Sequence, residues 1–115
     1  MKVRDIQSEF NLEVAAGGSG LDREIADGYC GDLLSDVMAN AGSGSVWLTT
    51  QAHQNILAVA ALKELAAIVL VNGHGPDDDT RARADKEGIP ILLSTSSAYQ
   101  LAGRFYKAGI KKKEE

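Results

Sequence analysis

The sequence is poor in several residue types, and each shortage excludes a class of protein. One cysteine in 115 residues cannot form an internal disulfide, so nothing in the cysteine usage points to an oxidising compartment. No apolar run approaches the roughly 18 residues of a membrane-spanning helix, and the N-terminus lacks the features of a secretion signal. We therefore predict a cytoplasmic protein with no membrane partner.

Aromatic residues and net positive charge are scarce as well. Aromatic residues make up 5% of the chain, and the formal net charge is −4. Proteins that bind nucleic acid need a basic face, and many also stack bases on aromatic side chains, so no nucleic-acid partner is expected. The one basic cluster, Lys111 to Lys113, is followed at once by two glutamates. Residues 111–115 are therefore predicted to form a solvated, charged tail.

Apolar side chains are plentiful enough for one domain. They make up 44% of the chain, and its length fits a single core. Residues 1–22 are expected to be a helix/strand segment of that same domain, since Val3, Ile6 and Phe10 have helical spacing. This segment is predicted to contain a helix, a strand and a flexible glycine turn, at residues 3–10, 12–15 and 17–20, and a second short strand is predicted at 23–29.

From Asp32 onward, helical and strand patterns alternate, and Asp32 is well placed to cap or charge the first helix. The unbroken apolar run of residues 66–71 favours a strand covered on both faces. The order from residue 46 onward predicts an α/β fold of three layers (α/β/α) with a mainly parallel sheet. The predicted helices span residues 32–41, 56–65, 76–87 and 98–107, and the predicted strands span residues 46–48, 66–71 and 89–93.

Ligands of parallel α/β sheets bind outside the carboxyl ends of the strands. The loops predicted there, residues 49–55, 72–77 and 94–97, contain both histidines and many hydroxyl and amide side chains. Each loop leads into a helix N-terminus, which favours an anion. An alternative interpretation is that these side chains only cap helices and turns. The candidate ligand-binding residues are Thr50, His53, Asn55, Asn72, Gly73, His74, Ser94, Thr95 and Ser96.

No complete catalytic or metal-binding pattern is present. The sequence lacks His-Glu-x-x-His and the phosphate loop GxxxxGK[ST], and the three aspartates at 77–79 are explained by a helix start. His53 has no evident nucleophile beside it. We therefore predict a protein with no catalytic residues, no metal and no cofactor, and an enzyme using His53 or His74 is the least favoured alternative.

Three further features have two interpretations each. The glycines of Asn72-Gly73-His74-Gly75-Pro76 favour a tight turn with positive φ, although they would also let a ligand approach the backbone. Cys30 is expected to be a small buried hydrophobe, the alternative being a thiolate stabilised at a helix start. Trp47 is expected in the core or in a subunit interface.

Several segments together resemble the DRTGG domain, a relative of the N-terminal domain of HPr kinase/phosphorylase. The segments are VWLTTQAHQNILAVAALKELAAIVLVNGHGPDDD, DKEGIPILLS and the closing helix, preceded by GYCGDLLSDVMANAGSGSVW. The resemblance covers residues 23–110. The Asp-Arg pair of the family falls on Ala52-His53 and its Thr-Gly-Gly on Val71-Asn72-Gly73, so only Gly73 matches.

The resemblance implies a regulatory or assembly domain, because the kinase chemistry of that family resides in a separate phosphate-loop domain. It also implies that a homodimer forms. The leading prediction is a stand-alone regulatory or ligand-sensing module that binds a small anionic ligand. The alternative is a protein-interaction or assembly subunit with no small-molecule ligand.

Overall fold

The computed structural model describes residues 1–112 of the chain. The predicted C-terminal tail, residues 111–115, therefore lies partly outside the described residues. Within residues 1–112 the strands are β1 (Glu13–Ala16), β2 (Asp27–Cys30), β3 (Ser45–Thr49), β4 (Ala67–Leu70) and β5 (Ile91–Leu93). The α-helices are α1 (Val3–Glu9), α2 (Leu34–Asn40), α3 (Asn55–Leu62), α4 (Asp78–Glu87) and α5 (Ala98–Lys107).

The strands form one mostly parallel sheet, as predicted. Their order is β1-β5-β4-β3-β2, with β2 to β5 mutually parallel and β1 antiparallel to β5. From β2 to β5 each strand lies beside the next one in the chain, so every crossover steps in the same direction. Right-handed crossovers then place α2, α3 and α4 on one face of the sheet.

Two apolar clusters form the core, and alternate strand residues belong to different clusters because their side chains point to opposite faces. Trp47 and Ile68 pack in the cluster that includes residues of α2, α3 and α4. Val46 and Val69 pack in the cluster that includes residues of α1 and α5. The helix that precedes β5 and the helix that follows it therefore lie on opposite faces.

The glycine-rich segment 17–20 is not the flexible turn that the sequence predicts. Gly18–Gly20 form a 3-10 helix, and the Gly17 N–H donates to the Asp85 carboxylate over 2.8 Å. The composition was misleading because close packing requires glycine at positions 17 and 20. A Cβ on Gly17 would lie 1.9 Å from the Ile89 carbonyl oxygen.

Some predicted boundaries also shift. The strand predicted at 23–29 begins only at Asp27, because its ladder with β3 starts where Asp27 pairs with Ser45. The third helix ends at Leu62 rather than Leu65, since Glu64 takes a left-handed conformation with φ of 53°. The strongly apolar strands and the helix at 98–107 lie where the pattern predicts them.

Two single residues have clear outcomes. Trp47 is fully buried and donates its indole N–H to the Gly31 carbonyl over 2.8 Å, which confirms its place in the core. The expectation that Cys30 is buried is wrong, since the residue is exposed on the edge strand β2. Its sulfur atom is nevertheless partly shielded from water, and this desolvation, followed by the charge of Asp32, raises the pKa of the thiol. The thiolate alternative is therefore not supported either. No helix within residues 1–112 is long and apolar enough to cross a membrane.

Candidate functional site

The carboxyl ends of β4 and β5 are the point at which the chain changes face. The loop after β4 leads to α4 on one face, and the loop after β5 leads to α5 on the other. In open α/β sheets, ligands bind where neighbouring strands lead to helices on opposite faces in this way. We call the residues of these two loops, 71–77 and 94–97, the switch-point loops.

Backbone hydrogen bonds join the switch-point loops. The Asn72 N–H donates to the Ser96 carbonyl over 2.9 Å, and the Gly73 N–H donates to the Ser94 carbonyl over 3.0 Å. Asn72 and Gly73 both have positive φ, 57° and 73°, and the His74 N–H closes the turn on Val71. The predicted tight turn is confirmed, and it uses the two residues for which a left-handed backbone costs least. The turn leaves Asn72 and His74 exposed.

Asp32, which follows β2, organises the neighbouring loop after β3. Its carboxylate accepts the Thr49 hydroxyl over 2.7 Å and the Thr50 N–H over 2.8 Å. Its carbonyl accepts the Gln51 side-chain amide over 2.9 Å. The prediction that Asp32 caps α2 is wrong, because Leu33 is the cap residue and the Asp32 side chain turns toward β3 instead.

These bonds favour the ionised form of Asp32. The hydrogen bond from the Thr50 N–H lowers the pKa of the Asp32 carboxyl below its ordinary 3.8. Partial burial opposes this effect, and the side-chain hydrogen bonds of Thr49 and Thr50 and attraction to His74 reinforce it. The pKa of this carboxyl group is lower in the folded chain than in the unfolded chain. The group therefore stabilises the fold at any pH above the unfolded-state pKa, and the stabilisation is lost as the pH falls through the folded-state pKa.

We expect Asp32→Asn to lower the free energy of unfolding at pH 7 by about 1 kcal/mol. A hydrogen bond to a charged group contributes more than this when it is buried, but solvent screens the partly exposed Asp32 carboxylate. Urea unfolding at pH 7 and near pH 2.5 measures this, and the difference from wild type should shrink at the lower pH. Glu9→Gln, which removes an exposed charge on α1, is the control. A difference of equal size at both pH values would contradict the role assigned to the carboxylate.

His53 pairs with a carboxylate and not with a hydroxyl group. His53 Nδ1 lies 3.2 Å from Asp77 Oδ2, and both side chains are largely exposed. The loops that carry them meet at the Ala52 carbonyl, which accepts the Asp77 N–H and the Thr80 hydroxyl. The loop after β3 is thereby attached to the start of α4.

The candidate residues therefore fall into groups. Asn72 and Gly73 are joined to Ser94 and Ser96, and the buried Ser94 hydroxyl accepts the Ser96 N–H over 3.1 Å. Thr50 is bonded to Asp32 and His53 is paired with Asp77, while the charge of His74 acts on Asp32. Asn55 and Thr95 are exposed and make no side-chain hydrogen bond within residues 1–112. Asn55 does not cap α3, because Gln54 occupies that position.

The arrangement can bind and orient a ligand. In the part of the chain that the structure describes, neither histidine is hydrogen-bonded to a serine or threonine hydroxyl, which is the pairing that activates a nucleophile. Among residues 1–112 no three His, Cys, Asp or Glu side chains are grouped so as to hold a metal ion.

Asp32 and Arg104 are the residues that sequence reasoning missed. Arg104 donates from Nη1 toward the Ser96 hydroxyl over 3.5 Å, from the second turn of α5. Placing β2 in the parallel sheet would have revealed Asp32, because residues that directly follow parallel strands meet at one edge. Nothing in the sequence pattern indicates that Arg104 reaches back to Ser96.

Comparison with protein-family models and with curated proteins finds no match to this chain. Membership of the DRTGG family therefore stays a proposal carried by the residues themselves.

Proposed function

We propose that this chain is a non-catalytic regulatory or ligand-sensing module that binds a small anionic ligand at the switch-point loops. One observation carries the proposal: the chain changes face between β4 and β5, where hydrogen bonds hold two polar loops together. A site fixed in this way is preorganised, so the ligand need not supply the free energy of ordering the loops.

The groups left for the ligand determine its chemistry. The Asn72 and Gly73 N–H groups are already bonded within the protein. Within residues 1–112 the side chains of Asn72, His74 and Thr95 make no hydrogen bond. The Gln100 N–H donates to the Ser97 hydroxyl, which leaves the N–H groups of Ala98 and Tyr99 at the start of α5. These donors suit a phosphate or carboxylate group. The carboxylate of Asp77 faces His53, which moderates its repulsion of an anion.

The resemblance of residues 23–110 to the DRTGG domain supports the same proposal. It implies a three-layer fold like that of the HPr kinase N-terminal domain and a regulatory role without chemistry of its own. The proposed cytoplasmic location is favoured separately, by the single cysteine. The proposal does not depend on the family's signature residues, of which this chain retains only Gly73.

A thermal-shift screen with nucleotides, inorganic phosphate and small phosphorylated metabolites tests the proposal. A ligand that binds only the native state stabilises it by about 2.7 kcal/mol at 100 times its Kd, so a rise in Tm of several degrees is expected. Asn72→Gly keeps the left-handed backbone but removes the amide side chain, and His74→Ala removes the imidazole. Each variant should reduce the shift.

Glu64→Gly is the matched control, because it makes the same kind of change at another left-handed residue, in the loop between α3 and β4 at the opposite edge of the sheet. It should leave the ligand-induced shift unchanged. If no compound in the screen raises the Tm, or if Glu64→Gly and Asn72→Gly reduce the shift equally, the proposed site is wrong.

The alternative function, a protein-interaction or assembly subunit, is favoured by a different observation. Tyr99 and Tyr106 of α5 are exposed to 86% and 63%, although the helix packs well against the core. The homodimer that the resemblance implies would be a separate form of interaction.

A further inference from the structure

We propose that the outward face of α5 binds an acidic segment of a partner protein. We define this tyrosine face by Tyr99, Gly103, Arg104, Tyr106 and Lys107. Positions 99, 103 and 106 follow one another at helical spacing, so they form one stripe along the helix. This surface lies on the flank of α5 and meets the switch-point loops only where Arg104 reaches Ser96. It goes beyond the proposed function.

The two tyrosines are not needed to hold the helix in place. Leu101 and Phe105 anchor α5 to the core and are 1% and 3% exposed. Tyrosine presents a large, rigid surface with a polar end, which is why it is enriched at the energetic centres of protein interfaces. Two of them on one outward stripe mark a surface suited to a partner.

Gly103, between the tyrosines, has no function inside the fold. A Cβ at this position would meet nothing within 4 Å, and the residue lies inside a helix with no positive φ. Glycine there costs roughly 0.5–1 kcal/mol relative to alanine. Gly103 lies in a shallow, open depression on the surface of α5, which is lined by Tyr99, Gln100, Ala102, Gly103, Arg104 and Lys107. The backbone of a partner can approach the helix closely at Gly103, because no side chain covers the helix there.

Charge determines the kind of partner. Residues 98–112 contain four cationic side chains and no carboxylate, whereas residues 1–97 contain fourteen carboxylates and seven cationic side chains. Lys111 Nζ lies 5.1 Å from the centre of the Tyr106 ring, which extends the positive surface past the end of the helix. Two copies of such a face would repel each other, and the acidic remainder of the chain disfavours a nucleic acid. An acidic peptide complements the tyrosine face.

A groove beside the tyrosine face adds an apolar requirement. It lies between α5 and β2 and has a volume of about 160 Å³. Its apolar lining includes Leu48, Phe105 and Ile110, and Asp27 is the one acidic residue that lines it. This is close to the size of an apolar cavity that takes up benzene, so it suits one aromatic or branched side chain. The proposed partner segment therefore combines several carboxylates with one large apolar residue.

The test uses a fluorescein-labelled peptide of sequence Glu-Asp-Glu-Leu-Asp-Glu and its amide counterpart Gln-Asn-Gln-Leu-Asn-Gln, with binding measured by fluorescence anisotropy. The acidic peptide should bind the full chain at least about tenfold more tightly, and more weakly as salt rises. Tyr106→Ala and Arg104→Glu should each weaken it at least about fivefold. Far-UV circular dichroism checks that these exposed substitutions leave the fold intact.

Lys63→Glu is the control for Arg104→Glu, because it makes the same charge reversal at the end of α3, and it should leave binding unchanged. Asn72→Gly should also leave it unchanged, which separates this proposal from the ligand site. Equal binding of the two peptides, or equal loss with Lys63→Glu, would overturn the proposal. Dimerisation of the chain that depends on its concentration and is abolished by Tyr106→Glu would also overturn the proposal. Tighter binding of a single-stranded oligouridylate with the same charge as the acidic peptide would overturn it as well.

Discussion

Gly17→Ala is expected to destabilise the protein by roughly 4 kcal/mol or more, a loss that only a few structural mechanisms produce. Gly17 has φ of +71°, a conformation that costs an L-residue roughly 1–2 kcal/mol. An added Cβ would also lie 1.9 Å from the Ile89 carbonyl oxygen and 2.7 Å from the Pro90 nitrogen. Both neighbours are backbone atoms at the entrance to β5, so the clash cannot be relieved by rotating a side chain.

Gly18→Ala, one residue further on, is the matched control. A Cβ on Gly18 meets nothing within 4 Å, and its φ is not positive. This substitution should change the free energy of unfolding by less than about 1 kcal/mol, with the sign favouring stability because alanine reduces the freedom of the unfolded chain. Chemical unfolding followed by circular dichroism compares the two variants. A change for Gly17→Ala as small as the one expected for Gly18→Ala would show that the segment is as loose as its composition suggests.

The contrast between Gly17 and Gly18 shows what the sequence can and cannot predict. The strands at 67–70 and 91–93 and the helix at 98–107 were predictable because long apolar runs and helical spacing are local properties. A run of glycines is equally local, but whether it is loose or tightly packed depends on Ile89 and Pro90, which are distant in sequence. No local pattern contains that information.

The candidate site shows the same division. The carboxyl ends of β3, β4 and β5 were predictable as one edge, because parallel strands must end together. The place where the chain changes from one face of the sheet to the other could not be predicted, because it depends on which side of the sheet α5 occupies. Cys30 and Asp32 were misplaced for a related reason. Their surroundings depend on β2 being the edge strand beside β3, and a four-residue strand with little apolar character gives no sign of its neighbour.

Trp47→Ala is expected to destabilise the fold by about 3–5 kcal/mol, the usual cost of removing a buried tryptophan. Trp47 is fully buried in the central part of the sheet, on the face covered by α2, α3 and α4. The other buried side chains of this cluster are aliphatic and belong mostly to strands and helices, so they cannot easily move to fill the space. Unfolding must be followed by circular dichroism, since Trp47 is the one tryptophan of the chain.

Trp47→Phe separates the packing of this residue from its hydrogen bond. Phenylalanine retains much of the apolar volume but cannot donate to the Gly31 carbonyl, so a smaller loss of about 1–2 kcal/mol is expected. Because Gly31 precedes Asp32, loss of the hydrogen bond from Trp47 to Gly31 should also loosen the loop after β3, which is bonded to the Asp32 carboxylate. Amide hydrogen exchange at Thr50, whose N–H donates to Asp32, should then accelerate more than exchange in β4. If Thr50 and β4 accelerate equally, Trp47 supports the fold as a whole and has no separate part in positioning the candidate site.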